Sequence, residues 1–279
     1  MSTDLAALPT AAPDAGYPVS DWAEWHAGRE RTLQQEHGWL SLVAFHWLPE
    51  QEGELPGVPG RWQAGPHGAT AAFSQQDRVT LWGDSTDPLT GSIDAVVDEQ
   101  GSLPWLRWGE RQIELARRGG RYAIRVRDPR AQTRAEFSGV PTFPVDPAWV
   151  RPARVVPRDH SDIVEVDTAR SDMRQQARLD ADLTVELPDF SSVELAATAG
   201  ADGGLSILFH DSTNGAQTAR WRVLFAGVPD GDGRLVVDFN RALNMPFSFS
   251  EFGTCPAPVP GNVIPIAVTA GELAPVRRH

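Results

Sequence analysis

The sequence predicts a mainly β protein: an antiparallel sandwich or barrel-like set of sheets preceded by one N-terminal amphipathic helix. Two observations carry this. From residue 61 onward, short runs of alternating apolar and polar residues recur between turns rich in Gly, Pro and Asp, the pattern of antiparallel strands with a buried face. Before them, "SDWAEWHAGRERTLQQEHG" (residues 20–38) repeats at three and four residues instead, the period of a helix.

In chain order, the helix is expected to begin with Ser20 or Asp21 as N-cap. Asp21 and Glu24 then form a capping box, and Gly38 lies just past the C-terminus. Trp22, Trp25, Arg29 and Leu33 share a face, so the helix should pack through its tryptophans. "GWLSLVAFHWL" follows, a buried strand or a second short helix, and "PEQEGELPGVPGR" ends it. "RQIELARRGGRYAIRVRD" reads as a hairpin turning at Gly119-Gly120. A meander covers "LTVELPDFSSVELAATAGADGGLSILFHD", "ARWRVLFAG" and "GRLVVDFN", and "NVIPIAVTAGE" reads as a closing strand, with Pro265 marking an edge or a bulge.

The proline-rich "PTFPVDPAWVRPARVVPRDHSD" reads as the crossing between two β units. The expected organisation is a flexible tail over 1–17, the helix and first β unit over 18–145, and a second β unit over 146–279. The second unit carries a proline-rich loop at 244–262, and the two units are expected to pack as one body.

Composition excludes several functions. The net charge is −12 and no basic patch stands out, which argues against nucleic acid. All basic residues are arginine, so lysine Schiff bases and lysine-dependent phosphate loops are ruled out. The single Cys255 excludes an internal disulfide and multi-cysteine zinc sites. No apolar run nears the roughly 18 residues of a membrane span. "MSTDLAALPTAAPDAG" lacks the basic start and apolar middle of a secretion signal. The expectation is a cytoplasmic protein with a small-molecule ligand, no membrane or nucleic-acid partner, no metal and no cofactor.

Several stretches together resemble a known family. They are "GWLSLVAFHWL", "RYAIRVRDPRAQTRAEFSGVPTFPVDPAW", "LFHDSTNG" before "RWRVL", "VVDFNRALNMPF", "GTCPAPVPGN" and "VTAGE". Their order is similar to the bacterial and archaeal family catalogued as domain of unknown function 1684, over residues 18 to 273. The resemblance implies no assigned activity. Many members of that family carry a second cysteine shortly before the Cys-Pro, where this chain has Phe247, so a cysteine pair for metal or redox work is not available here.

No G-x-S-x-G, H-E-x-x-H, P-loop or helix-opening G-x-G-x-x-G is present. Any chemistry would therefore come from scattered residues. In "FHDSTNG", His210, Asp211 and Ser212 are consecutive and so cannot form a relay. Asp211 and Thr213 instead suit a turn ending at Asn214-Gly215, or Asp211 faces a pocket at the strand end. Arg125 and Arg127 alternate with Tyr122, Ile124 and Val126, and Arg220 and Arg222 with Trp221 and Val223. Each pair forms a solvated face, a guanidinium platform for an anion, or a buried partner for Asp211 or Asp238. "PDGDGRLVVD" lacks the ligands of a calcium loop and reads as a turn.

The stretch "VVDFNRALNMPFSFSEFGTCPAPVPGN" concentrates the most. Asp238 and Asn240 are expected on one strand face, Arg241 at its end, then a proline-fixed loop lined by phenylalanines. These polar groups either brace the loop backbone or orient a ligand, with Asn244, Asn262 and Glu272 nearby. The expected function is binding of a small polar or anionic metabolite near 238–262, through Arg125, Arg222, Asp238, Asn240 and Asn262. One alternative is a hydrolase-type enzyme using Asp211, Asp238 or Glu272 with His46 or His210. Another is an interaction protein that docks through the tryptophan helix. Cys255 reads as a buried inert thiol.

Overall fold

The computed structural model describes residues 17–83 and 85–275. The tail expected over 1–17 therefore lies outside the described residues except for Tyr17. The chain divides into two compact units that exchange segments: one comprises 29–138 with 249–253, and the other, among described residues, comprises 17–28, 139–248 and 254–275. Each is mainly β, and every strand ladder is antiparallel.

The unit built on 29–138 holds nine strands: β1 (Leu42–Trp47), β2 (Gly53–Leu55), β3 (Val58–Gly65), β4 (Gly68–Phe73), β5 (Val79–Leu81), β6 (Gly91–Ala95), β7 (Ser102–Trp108), β8 (Arg111–Arg118) and β9 (Arg121–Arg127). They form a five-stranded sheet, β1-β9-β8-β7-β5, and a four-stranded sheet, β2-β3-β4-β6. One apolar core takes residues from both sheets. Trp62 is fully buried there, with the rings of Phe73 and Trp105 set edge-on at 5.6 and 5.9 Å.

The β8–β9 hairpin forms as read. Gly119 and Gly120 have φ of +57° and +75°, the conformation a two-residue primed turn demands and glycine adopts without steric cost. The Glu99 carboxylate accepts both of their N–H groups at 2.6 and 2.9 Å. The other face of this hairpin is not solvated, contrary to one reading. Gln112, Glu114, Arg125 and Arg127 are all buried. Glu114 bridges Arg125 Nη1 at 2.8 Å and Arg127 Nε at 2.7 Å, and Trp39 stacks against both guanidinium groups. "GWLSLVAFHWL" resolves into a short 3₁₀ turn, Trp39–Ser41, and strand β1.

The second unit holds β10 (Val150–Asp167), β11 (Arg174–Glu186), β12 (Ser192–Ala199), β13 (Leu205–Phe209), β14 (Arg222–Ala226), β15 (Arg234–Asp238) and β16 (Leu243–Asn244), in the order β15-β10-β11-β12-β13-β14-β16. The end strands β15 and β16 are joined only by the turn Phe239–Ala242. The sheet therefore curls until its ends are near in space, yet no β15–β16 ladder closes a barrel. Its core centres on Leu183, Val185, Ile207, Phe209, Val237 and Phe239.

Part of the proline-rich crossing is strand. β10 starts at Val150 and passes through Pro152 and Pro157. The β10–β11 register breaks between Pro157 and Asp162, where proline's missing N–H is tolerated. "NVIPIAVTAGE" is not the closing strand expected. It makes only single bridges, Val263 to His210 and Glu272 to Thr142, because its carbonyls at 268 and 270 are taken by a side chain described below.

Helix α1 spans Val19–Leu33 and begins earlier than read. Trp22 N–H donates to the Pro18 carbonyl at 3.1 Å, so Pro18 starts the ladder and Ser20 and Asp21 fall inside the first turn rather than capping it. Gly38 lies beyond the helix end with φ −73°, so it is no left-handed terminator. A Cβ there would meet the Leu33 carbonyl oxygen at 2.8 Å, and that close approach is what requires glycine.

Candidate functional site

The sequence-predicted residues of the second unit fall into two groups of backbone braces. The first is centred on Arg222 at the start of β14, whose side chain is fully buried with that of Asp211. Arg222 Nη2 donates to Asp211 Oδ2 and to the Val268 carbonyl, both at 2.9 Å, and Nη1 donates to the Ala270 carbonyl at 2.5 Å. Asp211 also accepts N–H groups from Thr213 (2.8 Å) and Val268 (3.2 Å). The pair thus stitches residues 268–270 to the sheet and holds the turn after β13. Burial pulls the Arg222 guanidinium below its usual pKa, and the Asp211 charge opposes that shift. Asn262 acts in the same way. It accepts Ala196 N–H and donates to the carbonyls of Ala196 and Leu208, all at 2.8 Å.

The second group is the 3₁₀ turn Phe239–Arg241, capped by Asp238. Asp238 and Asn240 do not continue one strand face, because β15 ends at Asp238. Nor does Asp238 meet Arg125 or Arg222. It accepts the Tyr17 hydroxyl at 2.7 Å and Asn240 N–H at 3.0 Å, and pairs with Arg241 at 3.3 Å. Burial, then the Asp238 carboxylate, push the Tyr17 hydroxyl well above its ordinary pKa. Asn240 ties down Asp146 by exchanging hydrogen bonds with its N–H and carbonyl at 2.9 and 3.0 Å. The tryptophans of α1 serve this turn too: Trp22 Nε1 donates to the Asn240 carbonyl at 2.8 Å, and Arg241 lies over Trp25. Glu272, buried, accepts Asn244 N–H at 2.6 Å with His26 Nε2 at 3.9 Å.

A stability comparison follows from these bonds. Asp238→Ala should lower the melting temperature more than Asp230→Ala, with a loss of about 1–3 kcal/mol for Asp238, whose bonds include a charged partner. Asp230 only accepts N–H groups within an exposed turn. Thermal melts of both variants check the ranking, and equal melts would count against it.

The remaining candidates lie elsewhere. Arg125 belongs to the first unit and spends its charge on Glu114. His46 is in β1 of that unit; burial lowers its pKa, and its Nε2 has no partner among the described residues. Ser212 is exposed and Asp211 buried, so His210, Asp211 and Ser212 form no relay. Among the described residues no group of three or more His, Cys, Asp or Glu is placed to hold a metal ion. No described helix is long and apolar enough to cross a membrane.

One cluster was not assembled from the sequence. Trp221, just before β14, faces away from the Arg222 brace, as consecutive extended residues do. It packs with Ala219, Phe247 and Cys255. The Trp221 and Phe247 rings lie 4.2 Å apart. The exposed Arg220 guanidinium covers both rings, at 4.9 and 5.0 Å, and donates to the Ala169 carbonyl at 3.1 Å. His210 meets the Trp221 ring edge-on at 6.1 Å. Trp221 is only 5% exposed, and its indole N–H finds no acceptor among the described residues. The sequence signal was the adjacency of Arg220 and Trp221 and the phenylalanines of the proline-rich loop. Nothing in the sequence shows that these two features meet.

With the fold and this geometry in place, comparison with known proteins gives a family. The model described as "Protein of unknown function (DUF1684)" matches residues 135–273. The chain belongs to this family. It is also similar to an uncharacterized protein of Haloarcula marismortui solved by solution NMR. Identity is 30% over 50% of this chain and 78% of that one, with a TM-score of 0.42. No curated protein matches.

Proposed function

We propose that the protein binds a small anionic metabolite beside the 238–262 loop, at the corner made by Arg220, Trp221, His210 and Phe247. The observation that carries this is the buried Trp221 N–H without an acceptor among the described residues. Native interiors rarely leave such a donor unmet, and leaving one costs about 1–3 kcal/mol. A ligand oxygen would satisfy it. Arg220 supplies the charge complement, since guanidinium matches carboxylate and phosphate geometry, and the two rings supply apolar walls. The brace residues serve this reading by fixing the loop from behind. An acidic chain whose only cysteine is a buried thiol fits a cytoplasmic metabolite binder rather than a partner of polyanions or membranes.

Calorimetric titration with benzoate and with inorganic phosphate tests the reading. At least one probe should bind saturably, and Arg220→Gln should weaken it at least tenfold with little change in melting temperature, because Arg220 is exposed. Binding unchanged in Arg220→Gln, or no binding of either probe, would contradict the proposal.

A further inference from the structure

We infer that the ligand of this corner is a hydroxycarboxylate, recognised by its carboxylate and by its own O–H donor. The inference rests on the binding site proposed above and adds the role of His210. His210 Nδ1 lies 3.1 Å from the Arg220 carbonyl oxygen and 3.3 Å from Asn214 Oδ1. The Asn214 amide is oriented independently: its Oδ1 accepts Asp211 N–H at 2.9 Å, and its Nδ2 donates to Thr218 Oγ1 at 2.9 Å and Asp211 Oδ2 at 3.3 Å. Both neighbours of Nδ1 are therefore acceptors, and the neutral imidazole carries its proton on Nδ1. Nε2 is left as a bare acceptor.

The His210 backbone is pinned as well, with N–H to the Asn262 carbonyl at 2.9 Å and its own carbonyl receiving Ile264 N–H at 2.8 Å. The two acceptors beside Nδ1 hold the ring in this orientation. Three different functions thus border Trp221: the Arg220 cation, the indole donor and the imidazole acceptor. A bare anion uses the first two and leaves Nε2 without a donor. A carboxylate with a hydroxyl uses all three.

The test compares 3-hydroxybenzoate with benzoate by calorimetry at pH 8, using the wild type, His210→Phe and His210→Gln, with melting curves to confirm folding. The wild type should bind 3-hydroxybenzoate at least tenfold tighter than benzoate. His210→Phe, which keeps a ring and loses the acceptor, should bring the ratio within twofold. His210→Gln, whose amide oxygen can accept, should keep part of it. Equal binding of the two probes by the wild type, or a ratio that survives in His210→Phe, would overturn the inference. If equal binding still depends on Arg220, the anion site stands and only the hydroxyl inference falls; if neither probe shows Arg220-dependent binding, both fall.

Discussion

Asp211→Ala is expected to destabilise the second unit by about 3–5 kcal/mol, the usual cost of removing one partner of a buried ion pair. Both side chains are completely inaccessible, so water cannot replace the lost carboxylate. Arg222 would remain charged, held by the backbone carbonyls of Val268, Ala270 and Glu272 and the Phe209 ring but by no bonded counter-charge. Val268 and Thr213 would lose the oxygen that accepts their N–H groups. For a chain of this size the loss corresponds to a melting temperature lower by roughly 6–20 °C. Asp211→Asn, which keeps the shape and one acceptor, should lose less. A melt of Asp211→Ala within a few degrees of the wild type would show that the pair does not hold residues 268–270 in place.

The second large effect belongs to the first unit. Glu114→Gln leaves two buried guanidinium groups, Arg125 and Arg127, without their shared counter-charge. The expected loss is again about 3–5 kcal/mol. The pH dependence gives an independent check. Burial alone would raise the Glu114 pKa, but the charges and hydrogen bonds of Arg127 and Arg125 outweigh it and bring the value from 4.5 to about 2. The folded value lies below the unfolded one, so this contribution is complete above about pH 4.5 and is lost as pH falls toward 2. Urea midpoints between pH 6 and pH 3 should fall in the wild type. That part of the fall should be missing in Glu114→Gln, and parallel curves would refute the assignment.

The strands with one apolar face were legible because their period of two is visible along the chain. The β8–β9 hairpin is the clearest case, its turn marked by Gly119-Gly120. The helix was legible from its spacing, but its start was not. An N-cap at Pro18 offers no side-chain signal, whereas Ser20 and Asp21 carry a misleading one. "NVIPIAVTAGE" was misread because its apolar alternation is real, while its carbonyl partners come from the Arg222 guanidinium rather than from a neighbouring strand. Pairings between distant residues were the least legible. Sequence marked Asp211 and Arg222 as possible partners, but equally offered Arg125 and Asp238, and only the curl of the sheet selects among them. The binding corner was hidden for the same reason: Arg220 and Phe247 are separated along the chain by strands β14, β15 and β16, and no local pattern announces that they meet.

A crystal structure of the protein soaked with benzoate decides whether the Arg220–Trp221 corner holds a carboxylate. The carboxylate should contact Arg220, a ligand oxygen should accept the Trp221 indole N–H, and the ring should lie against the aromatic corner beside Phe247. A corner left empty at saturating benzoate, or a protein group found accepting the Trp221 N–H in its place, would contradict it.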